Sequence, residues 1–189
     1  MNTPAHLIFG AAAFGRPEHR WTLAAALAGG LMPDLSLYLM VGWHLLIAGT
    51  EARVVFGELY YSDTWQTVFA VDNSFILWGI VCALALWQGW RVLIAFSGAA
   101  LVHIAFDFPL HAGDGRAHFW PLSRWIFDSP VSYWDRHHHA NWVGPTELAL
   151  CIALVVLLWW RVPDWRWRVV FALLLLAELG SNNIWRFVF

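Results

Sequence analysis

Residues 67–87 (TVFAVDNSFILWGIVCALALW) and 145–160 (PTELALCIALVVLLWW) each run for several helical turns with a single charged side chain apiece. Apolar runs of that length meet the thickness of a bilayer core. A water-soluble chain would need charge to cover its surface, yet only 13% of the 189 residues are charged against 60% hydrophobic. The expected class is all-α, a polytopic membrane helical bundle, and the length fits one integral membrane domain over residues 1–189. A net charge of −2 without a basic patch argues against nucleic acid bound at a surface. Cys82 and Cys151 lie inside apolar runs and read as small core residues. The opening MNTPAHLIFGAAAFGR has no basic residue before its apolar stretch, so no cleavable signal peptide is expected.

Hydrophobic patterning places about six helices. They cover residues 4–14, 21–47 with a break at Pro33, 67–87, 92–107, 145–160 and 169–185. The first is short for a crossing. A polar connection over 48–66 and a long aromatic- and His-rich segment over 108–144 join them on one side. Pieces such as FWPLSRWIF in that long segment suit the headgroup layer. All the fixed cations are arginines. Arg16, Arg20, Arg91, Arg161, Arg166 and Arg168 crowd the short turns, which the positive-inside rule assigns to the cytoplasm, with both termini outside. Tryptophans fall into two layers. Trp21, Trp87, Trp90, Trp160 and Trp165 belong to one; Trp43, Trp65, Trp120, Trp134 and Trp185 belong to the other.

The stretch LVHIAFDFPLHAGDGRAHFWP, residues 101–121, carries the chemistry. His103 and Asp107 are four apart on a helix and so share a face, where an imidazole and a carboxylate can converge on one ion. The topology puts His6, Asp34, Asp72, Asn73, His111, His118, His137–His139 and Glu147 in the same outer layer. Ionisable groups at membrane depth are a functional hypothesis by default. Imidazoles with carboxylates and no thiolate suit zinc first, with manganese and iron also compatible. Structural readings stand beside these. Asp34 can cap a helix resuming after Pro33, Glu147 can answer a helix dipole, and His137–His139 can be solvated loop residues.

The order HLIFGAAAFG, LMPDLSLYL, LVHIAFD, HFWPLS resembles the YdjM-like membrane-bound metal-dependent hydrolases over about residues 5–125. That family is distantly similar to the zinc-dependent phospholipase C and single-strand nuclease superfamily. The resemblance implies that His6, Asp34, His103 and Asp107 are metal ligands, with His111 or His118 as a further one. The chain departs from the family at one place. Where a His-Arg-x-x-Thr-His-Ser stretch is usual, it has Ala70-Val71-Asp72-Asn73-Ser74. Asp72 or Asn73 can offer an oxygen there, and His137, His139 and Glu147 remain further candidates.

The expected activity is hydrolysis of a phosphoester, of a lipid or another amphiphile, by metal-activated water. Asp34 and Asp107 are the catalytic candidates, and Arg116 or Arg124 would offset phosphate charge. The expected location is a bacterial inner (cytoplasmic) membrane, with the site facing its outer, periplasmic side and membrane lipid as partner. The alternative is a non-catalytic membrane metal-binding or transport protein using the same ligands, which the missing His-Arg-x-x-Thr-His-Ser stretch favours.

Overall fold

A computed structural model describes the backbone of residues 1–188 and, apart from Arg20 and residues 182–188, their side chains. The tryptophan expectation at Trp185 therefore lies outside the described side chains. The fold is all-helical. In order come α1 (Thr3–Phe14), α2 (Arg20–Gly42) running into a π-helical turn (Trp43–Ile47), and the single turn α3 (Ala52–Val54) continuing as a second π-helical turn (Val55–Leu59). Then follow α4 (Asp63–Asp72), α5 (Phe75–Gln88), α6 (Arg91–Asp107), a 3-10 turn (Arg136–His138), α7 (Ala140–Arg161) and α8 (Trp165–Val188). Three helical stretches are long and apolar enough to cross a membrane: Trp21–Ile47, Asp63–Gln88 and Ala140–Arg161. Large apolar side chains such as Leu46, Leu86, Trp160 and Leu176 point away from the protein, as a lipid-facing exterior requires.

The short helix α1 is the hub. It packs against α2, α6, α7 and α8. Its Ile8 and Phe9 join Leu23, Cys151, Val155, Leu158 and Phe171 in one buried cluster. At 12 residues it spans only about 18 Å. Its last carbonyls have no helical partners, and Arg161 takes up part of that deficit: Nη1 donates to Ala12 O at 2.9 Å and Nη2 to Gly15 O at 3.3 Å.

The helices depart from the sequence expectation in several places. Pro33 does not break α2, which continues through it to Gly42. Pro33 only withholds a donor from Gly29, a loss that packing against neighbours tolerates. The connection over 48–66 is largely helical rather than irregular. The expected helix over 67–87 starts earlier and is interrupted at Asn73–Ser74, where Ser74 caps α5 by accepting from Leu77 N. Finally, α7 begins at Ala140, so Pro145 lies inside it and Glu147 is beyond its first turn.

Glycines let α2 approach its neighbours closely, as small residues do between apolar helices. A Cβ on Gly29 would lie 1.9 Å from Phe96 O of α6, and one on Gly30 would lie 2.8 Å from His6 O of α1. Gly42, by contrast, has open space. Gly29→Ala should therefore force α2 and α6 apart and cost about 3 kcal/mol, whereas Gly42→Ala should stay within about 0.5 kcal/mol of wild type. Thermal unfolding in detergent checks this; equal midpoints for the two variants would contradict the packing.

Candidate metal centre

The close approach at Gly30 sets up the site. With α2 against α1 and α6, the Gly30 carbonyl accepts from His103 Nδ1 at 2.7 Å. That bond assigns the ring proton to Nδ1 and leaves the Nε2 lone pair free to coordinate, the usual outer support of a ligating imidazole. One turn along α6, Asp107 Oδ2 lies 3.2 Å from His103 Nε2. From α1, His6 stacks on His103 with ring centroids 3.5 Å apart and planes at 10°. Its Nε2 is 2.9 Å from Asp107 Oδ1.

His6, His103 and Asp107 are 1%, 0% and 6% exposed. One donor atom from each falls within 4.8 Å of the others, so this buried group could hold a metal ion. The hydrogen-bond inventory fits that chemistry. Despite the short distances, neither nitrogen of His6 nor His103 Nε2 has a correctly directed hydrogen-bond partner. Buried polar atoms are rarely left so, and a cation among them would take one nitrogen of His6, His103 Nε2 and an Asp107 oxygen. Three protein donors also leave coordination positions open.

Two further groups border this triad. Asp34, on α2, has Oδ1 3.7 Å from His103 Nε2, while its Oδ2 accepts from Thr3 Oγ1 at 2.5 Å. His111, just past α6, has Nε2 3.4 Å from Asp107 Oδ2 and Nδ1 3.1 Å from Asp114 Oδ2. Burial disfavours a charged His111, but the carboxylates of Asp107 and Asp114 outweigh it and raise its pKa. Burial likewise works against ionised Asp114, and hydrogen bonds from His111 and Trp134 reverse the effect and lower its pKa. The Met1 amino group also contacts Asp107 Oδ1, at 2.5 Å.

The remaining candidates lie elsewhere. His118 is turned to Asn73 O, to which its Nδ1 donates at 2.9 Å, and it packs against Phe75 and Phe108. Burial lowers its pKa to about 4, so it is the neutral donor this contact needs. Asn73 donates through Nδ2 to Pro33 O and Phe69 O, and Ser74 Oγ donates to Trp120 O. Asp72 ends α4, part-exposed and outside the triad. His137, His138 and His139 are exposed on the 3-10 turn and its cap, with His138 held by Asp135. Glu147 is buried in a different polar cluster. Its Oε1 accepts from Asn2 N at 2.7 Å, and Asn2 Nδ2 donates to Glu178 at 3.0 Å. Sequence reasoning missed Glu178, although a lone acid in the apolar run LLLLAELG was signal enough.

A cavity of about 340 Å³ borders the triad at Asp107, with Asp34 and His111 also in its wall. No family model matches the chain, and no curated protein or solved structure matches it significantly.

Alanine at His103 or Asp107 should strip the protein of metal. His118→Gln and His137→Gln should leave the metal-to-protein ratio unchanged. Elemental analysis of untagged protein reads both; metal retained in His103→Ala would contradict the assignment.

Proposed function

We propose that the protein is a membrane-embedded, metal-dependent hydrolase that cleaves a phosphoester of a lipid or another amphiphile. The observation that carries this reading is the buried His6–His103–Asp107 group with unpartnered imidazole nitrogens, bordered at Asp107 by a cavity that also touches Asp34 and His111. Zinc is the ion this donor set favours, with manganese and iron as alternatives. Asp34 and His111 complete its surroundings in this reading. A divalent ion at this point supplies Lewis acidity, stabilising charge on the phosphate and lowering the pKa of water.

The chain's own groups do the rest. Asp107 lies between His6 and His103 with its two oxygens, and the Gly30 carbonyl holds the His103 ring toward the same point. Thr3 fixes Asp34 by one oxygen, and the other stays directed at the His103 side. Asp34 is thereby placed to accept the proton of the attacking water. The apolar burial of the triad excludes bulk water and strengthens each electrostatic contact.

The wider reading is a six-helix bundle in a bacterial inner membrane with the site toward the outer leaflet. It draws on the three membrane-compatible helices and on the arginine-rich short turns. Likeness to the YdjM-like hydrolases rests on His6, Pro33-Asp34, His103 and Asp107. The departure at residues 70–74 bears on metal number. Asn73 and Ser74 are committed to backbone contacts, which favours a single ion over a cluster. The same departure favours a second reading, a metal-binding or transport protein without turnover.

A panel of phosphomonoesters and phosphodiesters, offered to metal-loaded protein in nanodiscs, separates the two. The hydrolase reading predicts turnover that chelator abolishes. It also predicts that Asp34→Asn keeps its metal while kcat falls about a hundredfold or more. Metal retained with no turnover on any phosphoester would favour the carrier.

A further inference from the structure

Arg116 is a buried cation that the metal chemistry does not use. It is 8% exposed. Its guanidinium lies 4.3 Å from the Phe69 ring centre and 4.9 Å from that of Tyr60, and Nη2 donates to Tyr60 Oη at 2.6 Å. Nη1 has no hydrogen-bond partner, and no carboxylate among the described residues is in ion-pair contact with the guanidinium. A desolvated charge without a counter-charge is costly to maintain. Stacking on two rings answers only part of that cost. The nearby acid, Asp114, gives Oδ2 to His111 and Trp134 and feels the Arg116 charge without forming an ion pair with it.

Arg116 lines the same cavity as Asp34, Asp107 and His111. Between these polar groups, the cavity wall is Leu37 and Val41 of α2 together with Phe56 of the π-helical turn. One part-open space thus brings together Arg116, the carboxylate of Asp107 and a hydrocarbon wall. A guanidinium fork suits two oxygens of a phosphate-type anion. An apolar wall on a helix that can cross a membrane suits an alkyl chain entering from the lipid side.

We propose that Arg116 anchors a phosphate-type oxyanion whose hydrocarbon chain lies along Leu37, Val41 and Phe56, so that the cavity selects anionic amphiphiles over free phosphate. This rests on the hydrolase reading for the role of the neighbouring ion. Arg116 is a binding residue here and Tyr60 its positioning residue.

The test uses dodecylphosphonate, whose carbon–phosphorus bond does not hydrolyse, with inorganic phosphate and dodecanol as single-feature probes. Binding to the full chain in amphipol is followed by calorimetry, and metal content is measured on the same samples. Wild type should bind dodecylphosphonate at least tenfold more tightly than either other probe. Arg116→Gln should lose at least tenfold in affinity for it with metal unchanged, and Val41→Trp should do the same by filling the chain wall. Arg53→Gln, at an exposed position outside the cavity, should bind as wild type does. If Arg116→Gln does not fold, Tyr60→Phe should still weaken dodecylphosphonate severalfold. Unchanged affinity in the Arg116 or Tyr60 variant would overturn the anchor, and phosphate or dodecanol binding as tightly as dodecylphosphonate would overturn the amphiphile. Wild type lacking metal would instead count against the hydrolase reading, leaving the phosphonate result to decide Arg116 alone.

Discussion

Burying a carboxylate among apolar helices is unfavourable unless donors or opposite charge meet it. At 6% exposed, Asp107 is met by the Met1 amino group just ahead of α1, and the rings of His6, His103 and His111 stand around it where an ion could be shared. That requirement explains why a helix as short as α1 sits at the centre of the molecule. It brings an imidazole to the acid while its other faces fill the core between α2, α7 and α8. The glycines of α2 belong to the same arrangement. With a side chain at Gly30, α2 could not approach α1 closely enough for its carbonyl to fix the His103 ring.

The all-helical, strongly apolar character was legible because it depends on composition and run length alone. The pairing of His103 with Asp107 was legible too, since a spacing of four on a helix dictates a common face. What periodicity could not supply was the direction of side chains in irregular segments. His118 and His111 are both loop histidines within one irregular segment, yet one turns to a backbone carbonyl and the other to Asp107. The helix interruption at Asn73–Ser74 was hidden for a related reason. The groups that stabilise it, Pro33 O, His118 and Trp120 O, are distant in sequence. Pro33 shows the converse error, a strong local breaker overridden by tertiary packing.

Two groups of buried polar side chains meet at the N-terminus. One joins the triad to Asp34, His111 and the cavity; the other links Asn2 with Glu147 and Glu178 between α7 and α8. Met1 touches the first through Asp107, Asn2 touches the second through Glu147, and both residues line the cavity. The loop over 108–135 contributes to that space through His111, Asp114, Arg116 and Trp134, and it clamps the α4–α5 junction through His118. A single irregular segment therefore both braces the helices and furnishes the wall opposite α2.

The proposed ion sits among His6, His103 and Asp107. Anomalous diffraction at the metal absorption edge, from untagged protein crystals, would locate it. One strong peak is expected within coordination distance of the two Nε2 atoms and an Asp107 oxygen. A metal-replete crystal with no peak there, or with its peak at His137–His139, would contradict it.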